Sequence, residues 1–233
     1  MSWGVSSLMT HVTVLPSPTV PAAVWTIVVA AGSGSRFGGR KQFEQLGSRR
    51  VIDWAVAAAG EASAGVVVVG PAGLEGDDPV HGPLVPGGST RSESVRAGLA
   101  HVPPDASIVL VHDAARPFAS AALFAAVVQA VVDGADAAVP GIAVSDTIKQ
   151  VTADGTVITT PPRSSLVAVQ TPQAFRASAL RRAHEAGSDG TDDAALVEAQ
   201  GGWVVVVPGD ERNRKLTHPD DLAWARAQIA ESS

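Results

Sequence analysis

At 233 residues, 45% hydrophobic but only 4% aromatic, the chain is long enough to bury a sizeable core, and its composition is that of an Ala/Val-rich globular protein rather than a disordered or fibrous one. It contains no cysteine, which excludes disulfides, thiolate metal sites and cysteine nucleophiles. A formal charge of -6 argues against a general nucleic-acid or anionic-membrane surface, so any basic site must be a local cluster of Arg and Lys.

Residues 1–23, "MSWGVSSLMTHVTVLPSPTVPAA", lack the positive start and unbroken apolar core of a signal peptide, and no later run approaches a membrane span. An irregular leader on a cytoplasmic protein is expected, followed by a single domain over 24–233. Apolar runs then recur: "WTIVVA" at 25–30, "GVVVVG" at 65–70, "SIVLVH" at 107–112, "DAAVPGIAV" at 136–144 and "WVVVVP" at 203–208. Short continuous β-branched runs of this kind read as strands buried on both faces. Between and after them lie helix candidates at 51–62, 92–100, 120–132, 178–187, 192–200 and 219–230. The alternation predicts an α/β fold, a Rossmann-like open and mostly parallel sheet with helices on both faces. One segment departs from it. "DTIKQVTADGTVITTPPRS" alternates with period two around Asp154-Gly155, a strong hairpin signal. A projecting arm over 145–165 that pairs with a second copy of the chain is expected.

Ligands of open α/β sheets sit beyond the carboxyl ends of the strands. The residues there are "AGSGSR" at 31, "HDAARP" at 112, "SDTIK" at 145 and "GDERNRK" at 209, polar and charged as a site requires. The loop "AAGSGSRFGGRKQ" at 30–42 is the most specific: glycines permit φ > 0 and expose backbone N–H groups to an anion. Gly32, Gly34 and Gly38 give G-x-G-x-x-x-G, one residue off the dinucleotide fingerprint, and no acid ends the second strand to hold a ribose. Gly34 and Gly39 have Walker A spacing, but Arg40 and Lys41 replace the required Lys-Ser/Thr pair. What remains is a backbone cradle with Arg36 and Lys41, suited to a polyphosphate undergoing nucleotidyl transfer. Taken alone, the loop is equally compatible with two solvated surface charges.

That loop, with "GGSTRSESVRAGL" at 87–99, "VHDAARP" at 111–117, "SDTIK" at 145–149, "VQTPQAF" at 169–175 and "RKLTHPDDL" at 214–222, resembles the 2-C-methyl-D-erythritol 4-phosphate cytidylyltransferases of the non-mevalonate isoprenoid pathway. The resemblance runs from about Trp25 to the C-terminus. It implies a fold of the nucleotide-diphospho-sugar transferase type, a homodimer, and the substrates CTP and methylerythritol phosphate. It further implies that Arg36, Lys41, Arg163 and Lys215 are catalytic, and that Ala30, Ala31, Gly32, Ser33, Gly34, Lys41, Gly87, Gly88, Ser94 and Asp113 bind the nucleotide. Arg116, Thr147, Arg163, Thr171 and Lys215 would contact the second substrate, Arg163 across the subunit interface, and Asp113 would hold Mg²⁺. Arg116 has a second reading as a structural pair for Asp113, and "GGST" a second reading as a helix-capping turn. Asp192 and Asp193 are read as structural acids at a helix start, and His112 as a neutral packed neighbour. No histidine has zinc-ligand spacing. The rivals are a ribitol-5-phosphate cytidylyltransferase of the same fold and a non-catalytic nucleotide-binding protein.

Overall fold

The computed structural model describes residues 24–34, 37–71, 84–185, 187, 189–190 and 192–231; the leader at 1–23 and Arg36 lie outside them. The strands are β1 (Val24–Val29), β2 (Gln45–Leu46), β3 (Arg49–Arg50), β4 (Gly65–Gly70), β5 (Val85–Pro86), β6 (Ile108–Asp113), β7 (Ala137–Ala143), β8 (Gln150–Val151), β9 (Val157–Thr159), β10 (Val167–Val169), β11 (Gln173–Arg176) and β12 (Val204–Pro208). The helices are α1 (Val51–Ala62), α2 (Arg91–Leu99), α3 (Ala121–Val132), α4 (Ala177–Glu185), α5 (Asp193–Ala199) and α6 (Pro219–Ala230). All five apolar runs form strands and all six helix candidates form helices, with ends shifted by two residues or fewer.

The main sheet runs β5-β4-β1-β6-β11-β7-β12, with β10 also paired to β7. β5, β4, β1 and β6 are parallel neighbours, as are β7 and β12. β11 lies antiparallel between β6 and β7, Gln173 opposite Val111 and Ala174 opposite Ala138. The apolar-run reading passed over this strand because "QAFR" is only four residues long and has no valine run.

Continuous apolar strands make sense here because both faces are covered. Side chains alternate across a strand, so on β1 Ile27 joins a core with Val95, Leu99, Leu180 and Val197, from α2, α4 and α5. Val24 and Val28 join the opposite core with Ile52, Ala59, Phe124 and Val127, from α1 and α3. Phe124 and Phe175, one in each core, are fully buried, and truncating either to alanine would cost about 3–5 kcal/mol. A third cluster, Leu46, Val51, Leu216, Leu222 and Ala225, seats α6 and thereby anchors the segment that carries Lys215.

The hairpin forms where its Asp-Gly turn places it: β8 and β9 make a separate antiparallel pair, with Thr152 N–H donating to Thr156 O at 2.9 Å and Gly155 N–H to Thr152 O at 3.0 Å. Val151, Val157 and Ile158 on it are all at least half exposed.

Candidate active site

Going outward from β1, the chain turns to β4 on one side and reaches β6 on the other, so the carboxyl ends of β1 and β6 flank the crevice expected of such a reversal. A cleft of about 530 Å³ opens there, bounded by the loop after β1, the start of α2, the end of β6 and Lys215. Of the residues expected to bind nucleotide or act in catalysis, Ala30, Ala31, Gly32, Ser33, Gly34, Lys41, Gly88, Ser94, Asp113 and Lys215 line it.

The glycine loop is held in shape by the protein itself. Gln42, buried behind it, donates from Nε2 to Ala30 O at 2.6 Å and to Gly32 O at 3.0 Å. Gly34 sits at φ 70, and its carbonyl accepts the N–H groups of Phe37, Gly38 and Gly39 at 2.8, 3.0 and 3.3 Å. A Cβ at Gly34 would fall 1.8 Å from Gly39 O, so both the dihedral and the space demand glycine. Among the described residues, the amides of Ala31, Gly32, Ser33 and Gly34 donate to no backbone carbonyl, which leaves a row of N–H groups for an anion. Lys41 opens the short 3-10 turn Lys41–Phe43 at the far end of this cradle.

The opposite wall is the start of α2. Thr90 Oγ1 accepts from Glu93 N–H at 3.1 Å, while Glu93 Oε2 accepts from Ser89 N–H and Oγ at 2.6 Å each and from Thr90 N–H at 3.2 Å. The "GGST" turn is thus a capping box as well as a cleft wall. Gly87 stands behind the cleft: a Cβ there would lie 2.3 Å from Ala31 Cβ and 2.9 Å from Ser94 Oγ. Its missing side chain lets the two cleft-lining segments touch.

Charge is concentrated at the end of β6. Lys215 Nζ donates to Asp113 Oδ2 at 2.6 Å, and Arg91 Nε lies 3.6 Å from Asp113 Oδ1. Burial by itself would raise the Asp113 carboxyl, but Lys215 and Arg91 outweigh it and hold the group well below the usual carboxylate range. Lys215 is placed by its neighbour, since Leu216 N–H donates to Ala115 O at 2.8 Å. Lys41, Arg91 and Lys215 against Asp113 make the cleft electropositive in a chain whose formal charge is -6.

Arg91 was not singled out from the sequence, although a signal was available. It occupies the first position of α2, where the helix dipole disfavours a cation, so an arginine there needs acids to hold it. Those acids are Asp113 and, at 2.5 Å, the fully buried Asp193 of α5. Asp193 is structural as expected, but what it supports is a cleft cation. Asp192 caps α5 by accepting from Ala195 N–H at 2.9 Å, and accepts from Gln173 Nε2 at 3.0 Å.

Two of the residues expected to contact substrate lie outside the cleft. Thr171 is 5% exposed; its Oγ1 accepts from Asp113 N–H at 3.0 Å and lies 3.1 Å from His112 Nδ1. Arg116 is 9% exposed, with Nη1 donating to Asn213 O at 2.7 Å. Neither lines the cleft; both tie β6 to neighbouring loops, and Arg116 donates to the carbonyls of Asn213 and Val169 rather than pairing with Asp113. His112 is the neutral neighbour expected: burial pushes its imidazole down to about 4. Because Arg116 O can only accept, His112 Nε2 carries the proton toward it at 3.2 Å, leaving Nδ1 to accept from Thr171. Thr147 and Arg163 stand apart from the cleft and are exposed, Arg163 Nη1 donating to Ser145 O at 2.9 Å.

No group of three or more His, Asp or Glu side chains among the described residues could hold a metal ion. One carboxylate, Asp113, fits an ion that takes its remaining oxygens from water and a ligand's phosphates, as Mg²⁺ does. No helix among the described residues is long and apolar enough to cross a membrane.

Residues 24–231 match the family model of 2-C-methyl-D-erythritol 4-phosphate cytidylyltransferase. The chain is 44% identical over 232 residues to the enzyme of that name from Streptomyces coelicolor, covering 90% of this chain and 86% of the relative. It is 43% identical over 224 residues to the bifunctional enzyme IspD/IspF of Solidesulfovibrio magneticus, covering 86% of this chain but only 56% of that longer protein. The crystal structure of the Thermus thermophilus cytidylyltransferase superposes with a TM-score of 0.74 at 36% identity, covering 88% of this chain and 98% of that one. With the fold, the glycine cradle and the charged cleft in agreement, the chain belongs to the 2-C-methyl-D-erythritol 4-phosphate cytidylyltransferase family.

Proposed function

We infer that the chain transfers the cytidylyl group of CTP to 2-C-methyl-D-erythritol 4-phosphate, giving 4-diphosphocytidyl-2-C-methyl-D-erythritol and pyrophosphate for isoprenoid biosynthesis. The observation that carries this reading is the convergence of the bare amides of residues 31–34 with Lys41, Arg91 and Lys215 in one cleft, in a chain matched to the family over 24–231.

An oxygen of the acceptor's phosphate attacks the α-phosphorus of CTP in line. The new P–O bond forms as the bond from the α-phosphorus to the bridging oxygen breaks, and pyrophosphate leaves with that electron pair. A phosphate monoester has a second pKa of roughly 6 and is largely a dianion near neutral pH, so the protein needs no general base. Positioning and charge neutralisation remain as its tasks. The amides of residues 31–34 cradle the triphosphate, and Lys41, with Arg36 on the same loop, meets the charge that builds on the pentacoordinate phosphorus. Gly87, Gly88 and Ser94 allow the flat base close to the backbone. Asp113 would hold Mg²⁺, which supplies further charge neutralisation at the phosphates when bound. Lys215, held against Asp113 at 2.6 Å on the cleft wall, supplies a cation for the acceptor phosphate.

The acceptor side is completed by a second copy of the chain, with Thr147 and Arg163 acting across the interface. What supports this is the arm: Ile148, Val151, Val157 and Ile158 are 41%, 50%, 52% and 58% exposed, too much apolar surface for a hairpin left in water. The reaction belongs in the cytoplasm, where CTP is supplied. The test is pyrophosphate release with Mg²⁺ and CTP, adding methylerythritol phosphate or ribitol 5-phosphate separately. Release with methylerythritol phosphate alone is expected; release with ribitol phosphate alone would keep the chemistry and overturn the substrate.

A further inference from the structure

We infer that Asp193, with His184 behind it, is a positioning residue that sets the Arg91 guanidinium against the phosphates of the bound nucleotide. The inference rests on the nucleotide reading of the cleft.

Arg91 is the third cleft cation, and the one with no covalent reason to face the ligand. It leaves the first turn of α2, where the helix dipole favours an anion and disfavours a cation. A flexible arginine in that position would swing into water. It is prevented from doing so on two sides. Nη1 is paired at 2.5 Å with Asp193 Oδ2, and Nε lies 3.6 Å from Asp113 Oδ1. Asp113 is shared with Lys215, so Asp193 is the dedicated partner.

Asp193 is itself fully buried, which removes competing water and keeps the pair short of solvent screening. Its second oxygen, Oδ1, faces His184 Nε2 at 3.0 Å. His184 Nδ1 is buried without a hydrogen-bond partner, and because a carboxylate oxygen accepts, the ring meets Asp193 by donating from Nε2. That donor fixes the orientation of the carboxylate, so that its other oxygen, Oδ2, faces Arg91 Nη1. The arrangement links α4 and α5, which carry His184 and Asp193, to the N-terminus of α2 in the nucleotide cleft. A structural salt bridge would account for the Arg91–Asp193 contact alone, but not for an arginine that also reaches Asp113 and lines the cleft.

The experiment is a double-mutant cycle on CTP binding, read by calorimetry without acceptor, with kcat and KM for CTP alongside. Arg91→Gln is expected to weaken CTP about tenfold or more, the loss of one charge-assisted contact. Asp193→Asn is expected to weaken it comparably, and the double variant no further than Arg91→Gln alone. Losses that multiply in the double variant, or a lowered melting temperature at unchanged CTP affinity, would overturn the inference. Should Asp193→Asn fail to fold, His184→Leu decides: a loss of about two- to fivefold that vanishes in the Arg91→Gln background supports the inference, and unchanged affinity sinks it. Wild-type protein that binds no CTP would overturn the reading of the cleft itself, and this inference with it.

Discussion

The nucleotide cleft and the arm are built by opposite means. The cleft hangs on the ends of parallel strands whose side chains are buried on both faces, and each of its functional groups has a protein partner that holds it: Gln42 for the glycine loop, Glu93 for the α2 turn, Lys215 for Asp113 and Asp193 for Arg91. The arm is a two-stranded pair whose adjacent residues Val157 and Ile158 point to opposite faces, yet both stay more than half exposed, at 52% and 58%. A cleft held this closely can receive CTP in a single chain. Thr147 and Arg163, at the ends of the arm, are exposed and stand apart from the cleft. On the proposed function, the difference means that the two substrates would meet different kinds of site: one finished by the fold, the other finished by assembly.

The sharpest way to break that contrast is Lys41→Ala. If the cleft is a finished triphosphate site, pyrophosphate release should fall by about 10²–10³ in kcat, the cost of losing a preorganised charge aimed at the transition state. Little change would mean that the cradle binds but does not react. From the other side, Val157→Asp combined with Ile158→Asp should convert dimer to monomer in sedimentation, lower turnover at least about tenfold, and leave CTP affinity within about twofold. Loss of CTP binding in that variant would show that the cleft also depends on assembly.

Protonation sharpens the comparison within the cleft's own foundations. His112 is held neutral, at about 4 against an ordinary 6.5. Above 6.5 neither folded nor unfolded chain carries the extra proton and stability is flat. Between 6.5 and 4 only the unfolded chain takes it up, so stability is lost as the pH is lowered, by about 3 kcal/mol across the window at about 1.36 kcal/mol per unit. Thermal melts from pH 7 to 4.5 should show this decline, and His112→Gln should flatten it. The Asp113 contribution has the same sign but lies below the ordinary carboxylate value and outside that window. The smallest effect is expected of Gly87→Ala, which forces a methyl group against Ala31. It should cost about 1–3 kcal/mol of stability or the equivalent in CTP affinity, as overpacking does, while leaving the arm and dimer unaffected.

Much of this was legible in the chain itself. The β-branched runs, the helix stretches and the Asp154-Gly155 turn are signals that act over a dozen residues or fewer, and each produced the element expected of it. The polar residues after β1 and β6 marked the site because ligands of parallel sheets sit at carboxyl ends, whatever the strand order. The placement of β11 was not legible, since a four-residue antiparallel strand owes its position to the gap between β6 and β7 rather than to its own pattern. Nor was the division of labour among charges. Arg91 meets Asp193, and Lys215 meets Asp113, across 102 residues in each case. Thr171 turns inward to support Asp113 across 58. A sequence names the ionisable groups, but which carboxylate neutralises which cation depends on through-space distance and burial, and only the folded sheet brings those ends together.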